Sequence, residues 1–339
     1  MAYREHSISA LSEIPALVTA FATEVGWNIA GTNTLRHPNF EGNGPGGLAF
    51  QLSSAVSGLQ HTLRWTCATA PYSTKSAVLM SPIYSTVAAP TVGITQTPTK
   101  LFLISMLEPE PYIAIVVEYG YNLYRHLYLG FMEKIGNYSG GEVISSHNGT
   151  HLDSVWSTSL WHYDGGTGNP VANFLFGWNT SKYTADASGG VRVEHQDNPQ
   201  TWRHFRRNAV IPASESWTAP FTYSDALGGF GDSINDAYVA KGKNALAGTS
   251  VLTPINLFVT QAALNDTRFV PIGNPAGVRL VNIEQMEAQS SAEIGDETWY
   301  VFAASRKSSD LYTRGPVSNA YRYPISESSY YLGYAYRGA

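Results

Sequence analysis

The sequence predicts a mainly β fold: antiparallel sheets in a sandwich or barrel-like arrangement, with one N-terminal helix and long loops. Three observations lead there. Tyr124, His126 and Tyr128 alternate with Arg125, Leu127 and Leu129, a period of two that puts different faces on the two sides of a strand. Residues 101–107, 112–119 and 124–131 are three apolar runs in succession, parted by Glu108-Pro-Glu-Pro111 and Gly120-Tyr-Asn122, as in an antiparallel meander. Glycine interrupts at Gly130 and recurs at Gly136 and Gly140-Gly141, where positive backbone angles suit turns and bulges.

The remaining elements follow from local chemistry. Ser12 reads as an N-cap, Pro15 falls in the first turn, and Ile14, Leu17, Val18, Phe21 and Val25 keep helical spacing. This predicts a helix over 13–25, ended by Gly26. Trp27 to Ala30 starts a short strand, Gly42 to Gly47 is a loop, and residues 48–53 and 61–68 are strands. Residues 70–100 carry Pro71, Pro82, Pro90 and Pro98. Proline disfavours a sheet centre, so this stretch reads as a meandering connection or an arm. Residues 136–200 are turn-rich, with aromatic pieces around Trp156, Trp161 and Trp178. Long loops on a rigid sheet are where binding usually resides. Residues 225–246 read as weak helix or loop, 251–261 as a strand, and 269–275 as an extended piece laid over a surface. Residues 298–304 and 330–337 are the last strands. The chain divides into 1–135, the helix plus meander, and 136–339, a loop-rich β region that can be continuous with the first.

Composition narrows the function classes. Only 14% of the 339 residues are charged, against roughly 25% in ordinary soluble chains. Tyrosine occurs 21 times. Neutral, hydrogen-bonding surfaces rich in tyrosine suit protein or sugar contact. The net charge of −5 and a single short basic run, Trp202-Arg-His-Phe-Arg-Arg207, speak against direct nucleic-acid binding. No window reaches the roughly 20 apolar residues of a membrane-spanning helix, and the first residues lack the layout of a signal peptide. A lone cysteine, Cys67, excludes an internal disulfide framework. It shares a strand face with Leu63 and Trp65, as a buried structural thiol does.

The candidate chemistry is thin. His147 and His151 have i, i+4 spacing, but Asn148-Gly149 breaks any helix there, so solvated loop histidines are the plainer reading. Asp164, Asp186, Glu194 and Asp197 lie in loops that could line a groove, and a glycosidase needs two carboxylates at a defined separation. Glu108 and Glu110 flank prolines as a charged turn. No nucleophile elbow, dinucleotide fingerprint or phosphate-binding lysine loop is present; Gly228-Gly-Phe-Gly231 has neither strand nor lysine to frame it. The expectation is therefore no enzyme, no cofactor and no metal. The residues singled out are interface candidates: Trp161, Trp178, Arg203, Arg206, Arg207, Tyr124 and Tyr128. Tyrosine, tryptophan and arginine dominate interface energetics.

Three segments carry a resemblance. Ile14-Pro-Ala-Leu-Val-Thr-Ala-Phe-Ala-Thr-Glu-Val-Gly-Trp27, the stretch from Tyr124 to Gly141, and Glu297-Thr-Trp-Tyr-Val-Phe-Ala-Ala-Ser-Arg-Lys307 resemble virion structural proteins of tailed bacteriophages. The resemblance implies a tail, neck or baseplate component, made and assembled in the bacterial cytoplasm. It implies copies of itself in a ring and other virion proteins as partners. The lone cysteine agrees with that compartment. In that setting residues 70–100 and 268–277 are candidate arms to adjacent subunits. Two alternatives stay open: a carbohydrate-binding host-recognition module using the aromatic loops of 150–180, and a glycan hydrolase.

Overall fold

The computed structural model describes residues 2–36, 48–58, 60–67, 75–81, 83–86, 89–119, 123–146, 161–163, 170–172, 175–176, 189–193, 202–203, 206–207, 251–261, 268–283, 286–304 and 332–338. In chain order, β1 (Tyr3–Ser7) leads through a 3-10 turn (Leu11–Glu13) into α1 (Ile14–Glu24). Five strands follow: β2 (Asn28–Gly31), β3 (Thr34–Arg36), β4 (Phe50–Ser57), β5 (Gln60–Cys67) and β6 (Ser76–Met80). β7 (Ile83–Thr86) and β8 (Ala89–Thr95) form a hairpin. The meander is β9 (Lys100–Met106), β10 (Tyr112–Glu118), β11 (Tyr124–Lys134) and β12 (Gly140–Ser146). Then come β13 (Trp161–Tyr163), β14 (Pro170–Ala172), β15 (Gly189–Val193), β16 (Trp202–Arg203) and β17 (Arg206–Arg207). Next are β18 (Thr253–Pro254), β19 (Leu257–Gln261), β20 (Arg268–Pro275), β21 (Val278–Asn282), β22 (Gln289–Ile294), β23 (Glu297–Ala303) and β24 (Leu332–Arg337).

Among the described residues the fold is mainly β, with antiparallel sheets and one short N-terminal helix. The central sheet runs β1-β9-β10-β11-β12-β15-β16, and β20 joins the end of β11, bringing β19 and β17 with it. A second sheet runs β2-β3-β4-β5-β6 and a third runs β18-β21-β24-β23-β22. Period-two patterning decides how they stack. On β9, β10 and β11, Leu101, Leu103, Ile113, Ile115, Val117, Leu127 and Leu129 share one core with Ile14, Val18 and Phe21 of α1 and with Leu35, Phe50, Leu52, Leu63 and Trp65 of the second sheet. Their neighbours Phe102, Ile104, Tyr112, Ala114, Val116, Tyr124 and Tyr128 belong to the other core, with Val278, Leu280, Phe302, Tyr334 and Tyr336 of the third sheet. The central sheet is thus buried on both faces, and the sandwich has three layers. Each large apolar side chain so buried contributes about 1.5–3 kcal/mol.

Several expectations are corrected here. Ser12 does not cap the helix. Glu13 turns back instead: its Oε1 accepts from the Ser9 amide at 2.9 Å, the Ser9 hydroxyl at 2.8 Å and the Ala10 amide at 2.8 Å. Those bonds, the Ser9 hydroxyl's first, hold its carboxyl below the usual range. Gly26 does end the helical segment, at φ 97°. Gly130 does not interrupt its strand; it lies within β11, opposite Tyr112. A β-carbon there would lie 2.5 Å from both the Tyr112 Cβ and the Tyr128 hydroxyl oxygen. The glycine makes room for the Tyr128 ring, which stacks on Tyr112 with centroids 5.7 Å apart.

Residues 70–100 are not simply a connection: β6 is a strand of the second sheet, buried from Ser76 to Leu79. The arm expected at 268–277 contains β20, which pairs with β11 and β19; Ile272 within it and Ala276 just beyond it are buried. β20 pairs with the end of β11, and β21, β23 and β24 share one core with β9, β10 and β11. The predicted loop at 42–47 and the weak helix at 225–246 lie outside the described residues.

Candidate functional site

Among the described residues, a strip of polar side chains from β10, β11 and β24 lies between the central and third sheets. His126 is wholly buried. Its Nε2 lies 2.9 Å from the Ala303 carbonyl oxygen and its Nδ1 lies 2.8 Å from the Tyr336 hydroxyl. A carbonyl only accepts, so Nε2 carries the proton and Nδ1 accepts from Tyr336. Three further tyrosines repeat the pattern. Tyr128 donates to the Ala276 carbonyl at 2.9 Å, Tyr334 to the Leu175 carbonyl at 3.0 Å, and Tyr112 to the Arg337 carbonyl. Each ring fills the interlayer space while its hydroxyl satisfies a backbone acceptor across it.

Burial sets the electrostatics of this strip. It pushes His126 down to about 3, against a weaker upward pull from the Ala303 carbonyl. It pushes Tyr112, Tyr128 and Tyr336 well above the usual tyrosine range. All four stay neutral near pH 7, and both imidazole nitrogens are occupied. The arrangement clamps two sheets together.

Tyr124 and Tyr128, named from the sequence as interface candidates, are 1% and 0% exposed. They pack inside this chain, because the third sheet covers the face they occupy. The basic run is divided between two strands. Arg203 on β16 pairs in register with Val191, whereas Arg206 and Arg207 on β17 pair with Phe258 and Leu257. Beside them, Trp202 packs edge-on against Phe50, with ring centroids 6.2 Å apart. Trp161 opens β13 and pairs with Ala172. Trp178, His147, His151, Asp164, Asp186, Glu194 and Asp197 lie outside the described residues. Cys67 is buried on the face of Leu63 and Trp65, as expected. Among the described residues, no three or more His, Cys, Asp or Glu side chains gather as a metal site would require.

Sequence reasoning missed the ion pair of Glu142 and Arg192, 50 residues apart. Arg192 Nε donates to Glu142 Oε2 at 2.7 Å and Nη2 to Oε1 at 2.5 Å, with the side chains 7% and 1% exposed. The only signal was a charge within each of two short apolar strands, Gly140–Ser146 and Gly189–Val193. Which charges meet depends on the β12–β15 pairing, which local pattern does not show.

Tyr3 of β1 stacks on Tyr300 of β23 at 4.2 Å and 9°, so the β1 edge of the central sheet runs beside the third sheet. Burial raises the Tyr3 hydroxyl to about 12. The outer half of the β4–β5 hairpin stands clear of the core, with Val56 69% exposed.

Compared with protein-family models and with curated proteins, the chain matches none.

Proposed function

We propose that this chain is a non-enzymatic structural subunit of a tailed-phage particle. Copies pack as a ring or collar in the tail, neck or baseplate and meet other virion proteins there. Cyclic packing uses a heterologous interface, one patch against a different patch of the neighbour. The observation that carries the reading is where the three resembling segments fall. Residues 14–27 hold α1 on one face of the central sheet, 124–141 hold β11 at its middle, and 297–307 hold β23 in the third sheet. They are the parts that pack the three layers together. A central strip whose polar groups are satisfied within the chain agrees with a load-carrying part.

The test is particle incorporation. Trp161→Ala, Trp178→Ala and Arg206→Ala would be introduced singly into the phage, with negative-stain microscopy of the purified proteins for rings or stacks. At least one variant should remain folded yet fail to enter particles. If all three enter normally while attachment to cells falls, the carbohydrate-binding reading replaces this one.

A further inference from the structure

We infer that the end of the molecule carrying the tip of the β4–β5 hairpin and the root of the β7–β8 hairpin is where one copy of this chain meets the next. The inference rests on the assembly reading above and names the surface that performs it.

Charge is the first observation. Between Gly42 and Thr99 only Arg64 and Lys75 carry a formal charge, and Lys75 is buried. Both strands of the β4–β5 hairpin and all of β6, β7 and β8 fall in this interval. The second observation is exposure. Phe50 and Leu52 at the base of β4 are buried, whereas Ala55, Val56, Ser57 and Gly58 at the far end are exposed. At 69%, Val56 is the most exposed large apolar side chain among the described residues.

The third observation is adjacency. Val56 pairs in register with His61, and the His61 carbonyl accepts from the Ser81 amide at 2.8 Å. β7 begins at Ile83, two residues on. The Ser81 hydroxyl lies 3.2 Å from the Tyr119 hydroxyl, which ties the hairpin root to the end of β10. The β4–β5 tip and the start of the β7–β8 hairpin therefore lie next to each other, within a stretch of sequence that carries almost no formal charge.

Identical copies with a net charge of −5 repel one another wherever their charged surfaces approach. At a surface poor in charge with an exposed apolar tip that repulsion is weak, and few charges lose water on contact. A second copy is thus the occupant this surface fits.

Sedimentation velocity over a range of concentrations tests it, using the full chain and the variants Val56→Asp, Val56→Lys, Ile294→Asp and Val251→Asp. All three sites are exposed, so circular dichroism should show folding unchanged. The expected result is assembly of the unmodified chain, with the concentration for half-assembly raised at least about tenfold by a charge of either sign at Val56. Ile294→Asp and Val251→Asp should leave it unchanged. If the unmodified chain assembles and both Val56 variants assemble equally well, this surface is not the contact, although the assembly reading stands. If the unmodified chain stays monomeric at every concentration, the assembly reading itself fails and takes this inference with it.

Discussion

The Tyr336 hydroxyl lies 2.8 Å from Nδ1 of His126, joining strands 210 residues apart in the chain. The bond ties the middle strand of the central sheet to the middle strand of the third. Removing the hydroxyl with Tyr336→Phe keeps the ring but leaves a buried imidazole nitrogen without its donor. We expect a loss of about 1–3 kcal/mol, read as a lower urea midpoint with an unchanged slope. An unchanged midpoint would mean that the bond adds nothing to interlayer stability.

The same histidine sets a pH dependence. Its folded value of about 3 lies below the ordinary 6.5, so between those values the unfolded chain binds the extra proton. Stability is therefore complete above about pH 6.5 and declines as the pH falls toward 3, by up to about 1.4 kcal/mol per unit from this group. Denaturation at pH 7, 6, 5 and 4 should show the decline, and His126→Gln should make it shallower by one proton. A parallel decline in the variant would assign it to other groups.

Gly130→Ala tests the close packing under the Tyr112–Tyr128 stack. The added methyl meets the Cβ of Tyr112, which cannot swing away. Overpacking of this kind costs about 1–3 kcal/mol. Gly58→Ala is a control at a site with open space, where positive φ adds strain without a collision. The melting temperature should fall further for Gly130→Ala than for the control.

Glu142→Ala should cost about 3–5 kcal/mol, because it removes the carboxylate that pairs with the buried Arg192 guanidinium. The double variant Glu142→Leu with Arg192→Met should recover much of that loss. A double-mutant cycle by chemical denaturation measures the difference. Equal destabilisation in single and double variants would show that volume, rather than charge pairing, governs the site.

Along the chain, the strands and the helix were legible wherever one local period ran unbroken. The alternation from Tyr124 to Leu129, the three meander strands and the helical spacing from Ile14 to Phe21 all reappear in the fold. The same alternation showed that β11 has an aromatic face and an aliphatic face. It could not show that both are covered. An aromatic face reads equally as a docking surface or as half of a core. What decided it for Tyr124 and Tyr128 is the arrival of residues 278–282, 297–303 and 332–337 over that face. The arm read into residues 268–277 turned out to be a paired strand for a similar reason: its ladder partner, β11, is more than a hundred residues away. Periodicity is a property of neighbours in sequence, so it determines which side chains share a face. Which face is buried, and which buried charges meet, is decided by contacts between distant segments, and only the tertiary structure contains those.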